Sequence, residues 1–540
     1  MRSFLKITIG LLLVTNVYSQ TLPLDNTFFN PTIGAETQTI SASGGTGDDS
    51  QTLQNAINTV NTAGGGKVIV NAGIYRILEV NLRSNVHLEV NSGVTFLPFN
   101  PSASANNALF NADLNTGINN FSLIGIGGNF TIDFTALAAT IRIRAISFKY
   151  CSNFKVSNFN IIDNYTEFSS LAFGSNYTTT STASGTRINN IRGIPNGGII
   201  ENISMTNGHY GFGLVQTQGG KNLLFRNLST VGGATLRLET GFNLLQYTEL
   251  YNFNDIKLDN IWARNIACTN GQSALQLSPH TLSQGYFNAE NITATSCEMA
   301  VVWAAGFATN TQETDGLIPG SFDETSKIRN VTATFGQNAQ MRDSRLRYIP
   351  CQLRVERSGS IGVASALNTD GESRTAPSPG AVLSEEDRSG YYPLDFPDTE
   401  VTAIGYNIAA HYLPLNAIFK SSIDDYEVCN ESVNGVNFFI PNGYQNTPNP
   451  RNPLENGTLS VTNLALESIV IYPNPTTNIL NIILLNNMEG GTVQFYSIHG
   501  KQVGNYQLQT QNKIDVSHLS NGVYILKFGK TGMVKKVVIN

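Results

Sequence analysis

A chain of 540 residues with 33 Lys and Arg, 39 Asp and Glu and a formal net charge of −6 is too long for one small module, and its 13% charged content beside 49 Gly speaks against a coiled coil or a charged tail. Over residues 21–465 the balance is steeper, 25 Lys and Arg against 36 Asp and Glu, which argues against general electrostatic attraction to nucleic acid. The cysteines Cys151, Cys268, Cys297, Cys351 and Cys429 are odd in number and far apart, so neither a zinc site, a redox motif nor a disulfide framework is expected.

In chain order, Arg2 and Lys6 precede the apolar run from Ile7 to Val14, and Val17-Tyr18-Ser19 ends in a small residue before Gln20. Residues 1–19 therefore read as a signal peptide, with the run too short to span a membrane, so a secreted protein is expected. Gly47-Asp48-Asp49-Ser50 then offers a helix N-cap ahead of Leu53, Ala56, Ile57 and Val60 at helical spacing, and Gly64-Gly65-Gly66 ends the helix.

From Lys67 the pattern changes to short alternating apolar runs broken by Gly and Asn, which predicts strands without intervening helices. A phrase recurs in which an Asn sits mid-strand: Asn158, Asn202, Asn227, Asn260, Asn291 and Asn330. The steps from Asn202 onward are 25, 33, 31 and 39 residues, inside the solenoid range of roughly 20–45. The reading is all-β: a right-handed parallel β-helix over 20–440, its N-terminal end capped by the helix, with the Asn side chains stacked at coil corners. Asn202-Ile203-Ser204 is also a glycosylation sequon, but stacking is the preferred reading.

Residues 337–400 lack the repeat and carry Arg342, Arg345, Arg347, Arg354 and Arg357 against Asp343 and Glu356, a basic insertion in an acidic body. Pro, Asn and Gly over 441–465 mark a linker. Residues 466–540, from Ile471-Tyr472-Pro473-Asn474-Pro475 through Leu519-Ser520-Asn521-Gly522-Val523-Tyr524 to Lys535-Lys536, predict a small β-sandwich. That unit resembles the C-terminal sorting domain of the type IX secretion system, which implies the secretion machinery as a partner and a secreted or surface-attached product.

The most informative strand is Ala234-Thr235-Leu236-Arg237-Leu238-Glu239-Thr240-Gly241. With period-2 alternation Leu236 and Leu238 point inward, and Arg237 and Glu239 project together into a groove that can hold a polymer. If Leu277 stacks on Leu238, the next coil brings Ser278 beside Glu239 and His280 beside Gly241.

Arg237-Leu238-Glu239-Thr240 with Leu244-Leu245, Asn260-Ile261, Cys268 and Ser278-Pro279-His280 resembles the iota-carrageenases, glycoside hydrolase family 82. The resemblance implies endo-hydrolysis with inversion of the β-1,4 bonds of a sulfated galactan, iota-carrageenan. It places Glu239 as proton donor, Gln216 as the glutamine that positions chloride or water, and His280 as a third catalytic group. Arg237 and Gln276 are expected to bind substrate, and a monomer is expected to need no cofactor, with structural calcium and a chloride near the site implied by the family.

One departure stands out. The family pattern has Asp two residues after the acid, which puts carboxylates about 6.6–6.8 Å apart on one strand face and inside the roughly 6.5–9.5 Å window for an attacking water. This chain has Gly241 there, leaving His280, Glu249, Asp255 or an acid of the insertion to act on the water. Trp303 is a candidate for stacking on sugar or for the core, and the five arginines of 342–357 are candidates for gripping sulfate or for a solvated face. Asn368-Thr369-Asp370-Gly371 with Gly208-His209-Tyr210 resembles a polygalacturonase set without its paired Asp and basic partners, and is set aside. A lyase on another polymer, or a non-catalytic β-helical adhesin, are the competing classes. An adhesin has no need of Arg237 beside Glu239, and a lyase would want a calcium-binding Asp cluster that is not seen on the repeat strands.

Overall fold

The computed structural model describes residues 21–182, 185–348, 355–357, 360–362, 365–385, 401–406, 418–421, 469–472, 474–484, 491–497, 501–509, 511–528 and 534–540. The signal segment and the linker lie outside these residues. Two compact units are present, one spanning nearly all of 1–444 and one the C-terminal remainder.

In the first unit successive strands pair in parallel, each with the strand one coil later, giving a 14-stranded and a 10-stranded sheet among the described residues. This is a right-handed parallel β-helix, the hand that parallel crossovers adopt. Its interior is filled by rows of inward side chains, including stacked phenylalanines such as Phe148 on Phe173, with ring centroids 4.4 Å apart. The helix Ser50–Thr62 closes the N-terminal end by burying Leu53, Ala56, Ile57 and Val60. Burial of each larger side chain stabilises by about 1.5–3 kcal/mol. Asp49 at its start makes no side-chain cap and instead accepts the backbone N–H groups of Ser43 and Arg76.

The long strands bend at asparagines with positive φ, among them Asn158, Asn202, Asn227, Asn265, Asn291 and Asn330. Their amides form a ladder in which each Nδ2 donates to the Oδ1 one coil earlier: Asn202 to Asn158 at 3.0 Å, Asn227 to Asn202 at 2.8 Å, Asn265 to Asn227 at 2.8 Å, Asn291 to Asn265 at 3.0 Å and Asn330 to Asn291 at 2.5 Å. The sequence reading assigned Asn260 to this ladder. Asn260 belongs to a second one, donating to Asn222, which donates to Asn196, both at 2.7 Å.

Short helices absent from the sequence reading occupy loops between coils, notably Asn243–Gln246 and Asn310–Thr314. The segment taken as an insertion rejoins the β-helix before its expected end, because Val382–Glu385 pairs in parallel with Met299–Trp303. Cys151, Cys268 and Cys297 are buried free thiols, and Cys351 and Cys429 lie outside the described residues. In the second unit an antiparallel three-stranded and an antiparallel four-stranded sheet share a core that includes Leu480, Phe495, Leu526 and Val537.

Candidate active site

The site stands on the 10-stranded sheet. Val215–Thr217, Ala234–Glu239, Ser273–Ser278 and Met299–Trp303 are consecutive neighbours, in register Gln216↔Arg237↔Gln276↔Val302 and Leu238↔Leu277↔Trp303. Alternation sends the leucine row into the core and the Gln216–Arg237–Gln276 row outward, with Glu239 opposite Ser278 two residues on.

Arg237 donates through Nη1 to the carbonyl of Gly211 and through Nη2 to Glu239 Oε2. His280 Nε2 lies 3.2 Å from Glu239 Oε1. The side chains of Arg237, Glu239 and His280 keep 11%, 12% and 11% of their surface, so the cluster is largely desolvated yet reaches solvent. Burial by itself pushes the Glu239 carboxyl up, but the Arg237 guanidinium and the His280 hydrogen bond outweigh it and bring it down to about 2. Glu239 is thus a carboxylate in the unliganded protein.

The direct His280–Glu239 contact corrects the expectation that His280 stands beside Gly241, where it could act on the water. His280 has positive φ, and its ring turns back onto the acid rather than standing beside Gly241. Gln216 does approach that glycine: a Cβ on Gly241 would stand 3.3 Å from Gln216 Nε2 and 3.5 Å from Glu239 Oε1. Glu249 is engaged with the Ser283 backbone N–H at 2.8 Å and its hydroxyl at 3.1 Å, and Asp255 pairs with Lys221 at 3.0 Å.

Gln276 is buried beside Arg237, and its Oε1 meets no hydrogen-bond partner. Trp303 is not a groove residue. It is 4% exposed and packs on Phe287 with ring centroids 5.4 Å apart, because it continues the inward leucine row.

Of the insertion arginines whose side chains are described, Arg342 and Arg345, each is paired with an acid. Arg342 pairs with Glu372 over the Tyr210 ring, and a Cβ on Gly211 would meet its Nη2 at 2.9 Å and Glu372 Oε2 at 3.0 Å. That ion pair therefore covers the turn whose carbonyl holds Arg237. Arg345 points inward to Glu298, whose carboxylate also accepts from the Tyr210 hydroxyl at 2.7 Å. Arg354 and the side chains of Arg347 and Arg357 lie outside the description. Sequence reasoning missed Glu298 and Glu372 as partners because both are remote along the chain. Asp370, of the polygalacturonase-like set, is spent on the turn at Glu372 and Ser373. No group of three His, Cys, Asp or Glu suited to a metal ion occurs among the described residues.

Residues 470–540 match the family of secretion system C-terminal sorting domains. An iota-carrageenase of Alteromonas macleodii is 28% identical over 438 residues, covering 71% of this chain and 85% of its own. That of Zobellia galactanivorans is 28% identical over 449 residues, covering 72% and 84%. Among solved structures, an iota-carrageenase of glycoside hydrolase family 82 from A. fortis, determined in the absence of chloride ions, superposes with a TM-score of 0.61 at 26% identity, covering 81% of this chain and 98% of that one. Another, complexed to iota-carrageenan fragments, gives 0.59 at 26%, covering 75% and 95%. A sorting domain at the C-terminus directs the product out of the cell. The chain is a secreted glycoside hydrolase similar over most of its length to the iota-carrageenases of family 82, and it ends in a secretion sorting domain.

Proposed function

We propose that the protein cleaves internal β-1,4 bonds of iota-carrageenan outside the cell, with inversion, and that Glu239 is its proton donor. The observation that carries this reading is the Arg237–Glu239–His280 cluster on the outward row of consecutive coils, in a chain that aligns with iota-carrageenases over most of its length.

A donor must first hold a proton, and Arg237 opposes that. A sulfate group of the substrate competes for the same guanidinium, since forked guanidinium–sulfate pairing is strong and planar. Once Arg237 turns to the sulfate, Glu239 loses the largest influence that lowers it, and burial favours its taking up a proton. Donation to the leaving glycosidic oxygen follows. In this reading the anionic substrate arms the acid, and an unsulfated galactan does not.

The water is assigned to the point above Gly241, where the Gln216 amide faces the Glu239 carboxylate. A donor opposite an acceptor suits water, which does both, whereas chloride only accepts and would face the Glu239 Oε1 lone pairs. Glu249 is held by Ser283 and Asp255 by Lys221, so the base is sought among the acids of 337–400.

The test is reducing-end release from iota-carrageenan by the wild type and by Glu239→Gln. The reading expects release by the former alone, without unsaturated-sugar absorbance. Binding without cleavage would make the protein an adhesin, and absorbance gain on a uronate polymer would make it a lyase.

A further inference from the structure

Behind His280 runs a chain of side-chain amides whose directions are fixed at backbone groups. Thr309 caps the helix Asn310–Thr314 with a capping box, and its backbone N–H donates to Gln312 Oε1 at 2.9 Å. Gln312 Nε2 is therefore the donor, to Gln246 Oε1 at 2.6 Å and to Asn243 Oδ1 at 3.3 Å. This leaves the Gln246 Nε2 group facing the Thr240 carbonyl at 3.1 Å and His280 Nδ1 at 3.1 Å. A backbone carbonyl can only accept, so Thr240 and Thr309 dictate the same amide orientation independently.

His280 Nδ1 must then accept, and the ring proton sits on Nε2, aimed at Glu239 Oε1. Gln246, Gln312 and His280 are all buried, and the His280 carbonyl accepts from the backbone N–H groups of Phe307 at 2.9 Å and Gly320 at 2.7 Å. The Thr281 hydroxyl donates to the Gln246 carbonyl at 2.7 Å. The relay joins two loop helices to the acid without an exposed link.

We propose that Gln246 and Gln312 are positioning residues that lock His280 as the Nε2–H tautomer and so decide which oxygen of Glu239 carries the acid proton. The inference rests on the reading of Glu239 as proton donor. With Oε1 occupied by the His280 N–H, an incoming proton settles on Oε2, the oxygen Arg237 holds in the unliganded protein. The opposite tautomer would offer a lone pair to Oε1 and draw the proton to the buried side, away from the place Arg237 leaves.

The test uses the full chain with 15N-labelled histidine, whose six histidines allow His280 to be assigned by the signals lost in His280→Gln. Two-bond proton–nitrogen spectra of the wild type at neutral pH are expected to show a bare Nδ1 and a protonated Nε2. In Gln246→Glu, which turns the facing donor into an acceptor, Nδ1 should become protonated, and kcat should fall about tenfold or more with KM within about twofold. A protonated Nδ1 in the wild type overturns the relay whatever the activity. A folded Gln246→Met with full kcat overturns its role in turnover. Because the wild-type spectrum needs no substrate, failure of the relay stays distinct from failure of Glu239 as the acid, which Glu239→Gln reads.

Discussion

Glu239→Gln is expected to report on chemistry and stability together. The substitution keeps the side-chain shape and removes the proton, so kcat should drop at least ~10²–10⁴-fold. Its effect on folding follows from the ion cluster. The carboxyl ordinarily titrates at 4.5 and is held at about 2 in the fold, a lowering that corresponds to roughly 3 kcal/mol. Because the folded-state value is the lower one, this stabilisation is complete above pH 4.5 and is lost as pH falls through about 2. Wild type should therefore exceed the variant by up to ~3 kcal/mol at pH 7, with Arg237 left beside a neutral amide adding to the variant's deficit. The gap should narrow steadily below pH 4.5. Urea unfolding followed by tryptophan fluorescence at pH 7, 5, 4 and 3 measures it. A gap that stays constant from pH 5 to pH 3 refutes the cluster as the source of the depressed carboxyl, and undiminished turnover refutes Glu239 as the acid.

Asn227→Ala should cost about 1–3 kcal/mol in urea unfolding through two lost ladder bonds and an unfavourable positive φ, with Asn227→Gly falling between because only the bonds are lost. Trp303→Ala should destabilise by about 3–5 kcal/mol, whereas Trp303→Phe should leave KM unchanged; a large KM rise in the Phe variant would return Trp303 to the groove. Arg342→Ala is expected to raise KM for the sulfated polymer more than it lowers kcat, an effect that fades as added salt shortens the Debye length below ~8–10 Å; a salt-independent change would assign Arg342 to holding the Gly211 turn alone.

The period-2 pattern around Leu236 and Leu238 was enough to set Arg237 and Glu239 on one face, and matching Leu277 to Leu238 set the next coil, because an inward apolar row tolerates no one-residue slip. The same logic ran out at Met299–Trp303, where every residue is apolar and alternation is silent, so Trp303 could not be placed by parity. Asn260 and Asn265 lie on the single strand Leu258–Thr269, and spacing alone could not tell which of two corners each occupies. The relay to His280 was hidden for a different reason. Gln246 and Gln312 sit in loops between coils, 66 residues apart, on two short helices that were not expected from the sequence. The partners of the insertion arginines, Glu298 and Glu372, likewise arrive from remote sequence, so a local count of five arginines against two acids overstated the free positive charge.

Proton NMR of iota-carrageenan recorded during the first minutes of digestion tests the central claim most directly. The account predicts new galactose reducing ends that appear first as the α-anomer, from inverting attack on a β-1,4 bond, and then mutarotate. Reducing ends that appear first as the β-anomer, or a polymer that binds and stays intact, would contradict it.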